Sequence, residues 1–73
     1  MMIECMSIKE KEEIKERIIE EILRLCERAK EEHEKDEFET AIQLFFETVG
    51  LVKALSYMGY FYYVTSKFEL KKV

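Results

Sequence analysis

Apolar residues first fall into a helical rhythm at Ile14, Ile18, Ile22, Leu25, Cys26 and Ala29. Steps of three and four keep these side chains on one stripe, with charged residues over the rest of the cylinder. Ser7, with Glu10 three residues later, reads as a capping box in which the hydroxyl satisfies an orphan N–H and the carboxylate reaches back. Glu10, Glu12 and Glu13 lie in or near the first turn, where negative charge suits the helix dipole. The strict alternation of a strand is missing despite the many isoleucines. The pattern therefore predicts a helix from about residue 8 to 34. Glu13 with Arg17, Glu20 with Arg24 and Glu31 with Lys35 are candidate i,i+4 ion pairs on it.

A second rhythm starts after Lys35-Asp36. Asp36 followed by Glu39 resembles another capping box, and Phe38, Ala41 and Ile42 open a new apolar face. The expected helix runs from about residue 37 to 58. So short a connection makes the two helices antiparallel neighbours; the alternative is one continuous helix through residue 36. At about 100° per residue, Phe38, Ile42, Phe45, Val49 and Val52 form one apolar face, and Leu44, Leu51, Leu55 and Met58 form an adjacent one. Together they cover roughly 200° of the cylinder, twice what an ordinary surface helix buries. Glu39, Gln43 and Glu47 mark what remains polar. One hairpin partner covers one face. The other needs the C-terminal segment or a second chain.

Gly59 is placed to end this helix as a left-handed cap. Tyr60 to Thr65 is dense in residues that suit strands, Ser66-Lys67 can turn, and Phe68 to Leu70 alternates apolar and charged. A β-hairpin, a third short helix and a continuation of the second helix all fit this stretch. A tail packed on the helices is expected, because four consecutive aromatics are poorly left in water. The fold class predicted is all-α: one domain over residues 1–73, with residues 1–6 as an N-terminal tail, an antiparallel helical hairpin and a packed C-terminal tail, dimerising into a four-helix bundle. The interface predicted on the uncovered face comprises Leu44, Leu51, Leu55, Met58, Phe61 and Tyr62.

Composition supports association over self-sufficiency. The chain has 73 residues, and at this size apolar burial barely offsets chain entropy, so small scaffolds recruit disulfides, metals or partners. Cys5 and Cys26 allow at most one bridge, and Cys26 on the apolar stripe is expected to be a buried free thiol. Twelve basic against 16 acidic residues give a net charge of −4, which disfavours nucleic acid as a partner. The acidity is concentrated in residues 1–37, with 8 basic and 13 acidic side chains. No run is long and apolar enough to suggest a membrane span, and Met1 to Met6 lacks the basic and apolar regions of a signal peptide. A cytoplasmic location without membrane contact is expected. Abundant Glu and Lys, with no Asn and one Gln, resemble the composition of thermophile proteins.

Chemistry is sparse. His33 is the single histidine, and the Glu-x-x-His spacing of a carboxylate-bridged di-iron helix fails because Lys30 stands where the Glu belongs. No Cys-x-x-Cys, His-Glu-x-x-His or phosphate-cradling Gly loop occurs, so neither metal nor cofactor is expected. Arg28 and His33 resemble the Arg-x4-His ribonuclease motif of the HEPN helical-bundle nucleases. There an Arg would stabilise phosphate charge and a His would move a proton at a dimer cleft. The glutamates around the pair repel a polyanion, which leaves an RNA-directed role as the alternative to a non-enzymatic one.

Arg28-Ala29-Lys30, Glu34 through Ala41, Gly50-Leu51-Val52-Lys53-Ala54-Leu55 and Gly59-Tyr60-Phe61, with the later Phe68, resemble an archaeal family of small helical proteins, domain of unknown function 357. The similarity covers about residues 28–70, with Glu31, Glu32 and His33 departing from the apolar or aromatic positions of that pattern. It implies a compact helical protein and carries no catalytic residues with it. A non-enzymatic protein-interaction or self-association module, most simply a homodimer, is the role that the sequence supports.

Overall fold

The structure is a computed structural model that describes residues 7–73; the N-terminal tail and Cys5 lie outside the described residues. Two helices, α1 (Ile8–Glu34) and α2 (Phe38–Tyr57), are followed by two short strands, β1 (Tyr62–Val64) and β2 (Leu70–Lys72). The helices form the predicted hairpin, and the strands pair antiparallel as a second, smaller hairpin with Tyr62 opposite Lys72 and Val64 opposite Leu70. The tail is thus a β-hairpin, and the all-α expectation gives way to a mostly helical fold with a two-stranded sheet. The body is elongated, 44 × 19 × 17 Å.

Local chemistry fixes the element ends. Ser7 and Glu10 form the predicted capping box: Ser7 Oγ accepts from the Glu10 N–H at 3.1 Å, and the Glu10 carboxylate accepts from the Ser7 N–H and hydroxyl. At the other end of α1 the predicted second box is not made. Asp36 instead takes a left-handed conformation, φ 62°. The Glu37 N–H donates to the Glu32 carbonyl at 2.9 Å and the Asp36 N–H to that of His33 at 3.1 Å. This is the Schellman pattern with Asp in the usual glycine position, which a short polar side chain tolerates. The backbone of α2 therefore starts without a side-chain cap. The same motif closes α2 around Gly59, φ 92°, with the Tyr60 N–H on Leu55 O and the Gly59 N–H on Ser56 O, both at 3.0 Å.

The core lies where three surfaces meet: the α1 stripe, one face of α2 and the inner face of the strands. Ile22, Cys26 and Leu55 form one buried cluster, covered by Tyr62, Val64, Phe68 and Leu70 from the hairpin. Leu25, Ala29 and Leu44 form a second, with Leu51 and Phe68 against it. Ala29 and Ala41 are both buried; small residues there let the helix axes approach within the ~8–10 Å of close helix packing. Thr48 is the one buried polar residue among those described. Its hydroxyl donates to the Phe45 carbonyl one turn back, at 2.6 Å, so no polar group is orphaned there.

Tyr60 fastens the far end of the chain to the start of α1. Its hydroxyl donates to Glu12 Oε1 at 3.1 Å, and the Lys15 ammonium lies 4.9 Å from its ring centroid and 3.3 Å from the Glu12 carboxylate. The hydrogen bond from Tyr60, then Lys15, holds the Glu12 carboxyl below its ordinary 4.5. Desolvation, then the Glu12 carboxylate, pushes the Tyr60 phenol above its ordinary 10.0. Glu12 thus contributes stability above the ordinary carboxylate range, lost as pH falls through its depressed value. Tyr60 contributes below pH 10, lost as pH rises through its raised value. Melting curves against pH should fall off at both ends in the wild type. Tyr60→Phe should soften both limbs; identical profiles would show that the contact does not link folding to protons.

The ion pairs among the described residues differ from the i,i+4 set expected. Lys15 pairs with Glu12, Arg24 with Glu21 and Lys35 with Glu32, all one turn apart at i,i+3. Exposed pairs of this kind contribute little, so the exchange of partners leaves the fold unaffected.

Candidate interaction face on the second helix

The side of α2 that turns away from α1 is apolar. Phe38 (49% exposed), Ile42 (53%), Phe46 (64%), Val49 (44%) and Tyr57 (69%) stand open to solvent. At about 100° per residue these five fall within about a 100° sector. Its centre lies roughly 140° around the helix from the buried face carrying Ala41, Leu44, Thr48 and Leu55. Phe45 and Val52, half-buried, border the sector where the β-hairpin reaches α2; Phe45 meets the Phe68 ring edge-on at 6.2 Å. Glu39, Gln43 and Gly50 border the opposite side, and Lys53 is the one charge inside it. Together these residues make an open apolar row along the outer side of the helix.

Burial on α2 is the reverse of what was predicted: the Leu44/Leu55 face lies inside, and Phe38, Ile42 and Val49 of the other face lie outside. Leu44, Leu55 and Met58, expected at an interface between chains, are buried inside this chain. Leu51 and Tyr62 are half-buried against the same core. Of the six residues predicted there, Phe61 alone is well exposed, on the hairpin. The reason is steric. The Leu44/Leu55 face also carries Ala41 and Thr48, so α1 can approach it closely. The opposite face carries Phe38, Phe45 and Phe46, whose rings would hold α1 at a greater distance than Ala41 and Thr48 do. Ala41 and Thr48 were the signal in the sequence for this choice. Phe46 and Tyr57, which the two predicted faces omit, are the most exposed members of the patch.

The Arg28–His33 pair is not assembled within one chain. Five residues on an α-helix separate the two side chains by about 140° around its axis. The His33 ring is held edge-on by Phe38, centroids 5.1 Å apart, and by Phe68 at 5.8 Å. It thus joins the end of α1 to the start of α2 and to the hairpin turn. Beside it, Lys30, Glu34, Ser66 and Lys67 border an open cleft of about 240 Å³. Arg28 is exposed on another side of α1. Cys26 is a buried free thiol; burial pushes it up, away from the thiolate that reactive cysteines need. Among the described residues no group of three or more His, Cys, Asp and Glu side chains is placed to hold a metal ion, and no helix is long and apolar enough to cross a membrane.

No family model, curated protein or solved structure matches the chain.

Proposed function

We propose that this protein is a non-enzymatic interaction module whose working surface is the outer face of α2. The observation that carries this reading is the row Phe38, Ile42, Phe46, Val49 and Tyr57, apolar and open along the helix. The core does not require it, since Leu44 and Leu55 already pack against α1 from the opposite face. Exposing aromatics costs solubility, and a protein that retains such a row uses it to bind. The other exposed large apolar residues, Ile8 and Leu23 on α1 and Phe61, Tyr63 and Val73 on the tail, do not form such a row along one helix. The outer side of α1 is charged, and its exposed acids and bases suit water more than a protein partner.

Photo-crosslinking in the producing cell tests this directly. A benzoylphenylalanine at position 46 should give discrete covalent adducts. The same group at Glu16, exposed on the charged side of α1, should give none. Equal labelling at the two positions, or none at 46, would remove the functional claim on this face.

A further inference from the structure

We infer that the occupant of the outer α2 face is a second copy of the same chain, docked antiparallel about a two-fold axis between Phe46 and Val49. This rests on the interaction-face reading above and adds the partner and its orientation. Charge complementarity is the first support. The α2 sequence carries Glu39 near its start, beside the apolar sector, and Lys53 within the sector near its end. A two-fold axis at the middle of the row brings Lys53 of each copy within about one turn, roughly 5 Å of rise, of Glu39 on the other. It sets Phe38 towards the partner's Tyr57 and Phe46 towards the partner's Val49. The dipoles of the paired helices oppose one another in this arrangement and align in the parallel one. A parallel pair would also bring Lys53 beside Lys53 and Glu39 beside Glu39.

Area is the second support. With aromatic side chains worth about 150–250 Å² each, the five open residues at about half exposure supply roughly 500 Å². The flanking Glu39, Gln43, Gly50, Lys53 and Ser56 bring the strip towards the ~800 Å² per partner of a standard interface. Gly50 helps, because space is open for 4 Å around the point where its Cβ would stand. At this register Ile42 of one copy lies within about a turn of Gly50 on the other.

The net charge supplies the third. α1 holds seven basic and ten acidic residues, whereas α2 holds one basic and two acidic. Docking through α2 places the helices in the order α1, α2, α2, α1 and keeps the two acidic helices farthest apart. The roughly 140° between the buried and outer faces of α2 favours this open layered row; a closed square bundle needs neighbours at about 90°.

Light scattering on the purified chain, with charge reversal, tests the partner and its orientation. The wild type should give twice the 8.8 kDa chain mass at micromolar concentration. Phe46→Glu should weaken the dimer at least about 30-fold, as loss of a central aromatic anchor does. Lys53→Glu and Glu39→Lys should each weaken it about tenfold, since each turns two attractions into two repulsions. The double reversal E39K/K53E should return to within about threefold of wild type. Circular dichroism confirms that each variant keeps its helices. A wild-type chain that stays at 8.8 kDa up to millimolar concentration overturns the second copy as occupant. The interaction face itself would still stand if crosslinks formed at position 46. A dimer broken by Phe46→Glu yet not rescued by the double reversal overturns the antiparallel register.

Discussion

Leu55→Ala is expected to bring this protein to the edge of unfolding. The side chain is fully buried and shares a cluster with Ile22 and Cys26 from α1. Val64, Phe68 and Leu70 from the β-hairpin pack around the same cluster. One residue thus joins all three parts of the fold. A Leu→Ala change at such a site removes transfer free energy and leaves a cavity, together about 3–5 kcal/mol. A core of fewer than about 80 residues rarely supplies more than ~3–5 kcal/mol in total. The loss is therefore comparable with the whole stability. Urea unfolding followed by helical circular dichroism should show a midpoint close to zero denaturant. Phe46→Ala removes a larger side chain and is the control. At sub-micromolar concentration, where mass action favours the monomer, it should change stability by no more than ~0.5 kcal/mol. A loss below ~1 kcal/mol for Leu55→Ala, or a larger one for Phe46→Ala, would reverse the assignment of core and surface on α2.

That assignment also shows where sequence patterns stop being informative. The start of α1 and the end of α2 were legible because their signals are local. Ser7 and Glu10 are three residues apart and bond to each other's backbone groups, and Gly59 meets a positive φ at its own position. Asp36 and Glu39 share the same spacing, yet Asp36 is needed to reverse the chain, and one residue cannot hold both conformations. The excess apolar arc of α2 was legible as periodicity. Its division into inner and outer faces was not, because period alone does not record side-chain size. The row with Ala41 and Thr48 admits α1; the row with three phenylalanines does not. The tail was ambiguous for a different reason. Strands of three residues are too short for alternation to declare itself, and the turn between them depends on a backbone conformation that phenylalanine rarely adopts.

Phe68 holds that conformation, and substitution there should invert the usual order of alanine and glycine. The loop from Thr65 to Glu69 closes with the Thr65 N–H on Glu69 O and the Phe68 N–H on Thr65 O, both at 2.9 Å. The Thr65 hydroxyl accepts from the N–H groups of Lys67 and Glu69 at 3.3 and 3.2 Å. These bonds make a three-residue hairpin loop whose last residue is left-handed, a position that usually takes glycine. Phe68 sits there at φ 60°, at a cost of about 1–2 kcal/mol for a residue with a Cβ. Its ring offsets that cost, since it packs against both core clusters and meets the edges of His33 and Phe45. Phe68→Ala should lose the packing and retain the backbone cost, roughly 2 kcal/mol overall for a half-buried ring, less than the 3–5 of a fully buried one. Phe68→Gly loses the same packing and relieves the backbone. Glycine ordinarily destabilises relative to alanine by about 0.4–1 kcal/mol through the unfolded chain; here relief of the left-handed cost should cancel or exceed that. Denaturant midpoints should therefore run wild type, then Phe68→Gly, then Phe68→Ala, with the glycine variant ahead by up to ~1 kcal/mol. An alanine variant clearly more stable than the glycine one would mean that residue 68 does not hold a left-handed backbone. The hairpin would then close by another turn, and His33 would lose the ring that ties the end of α1 to it.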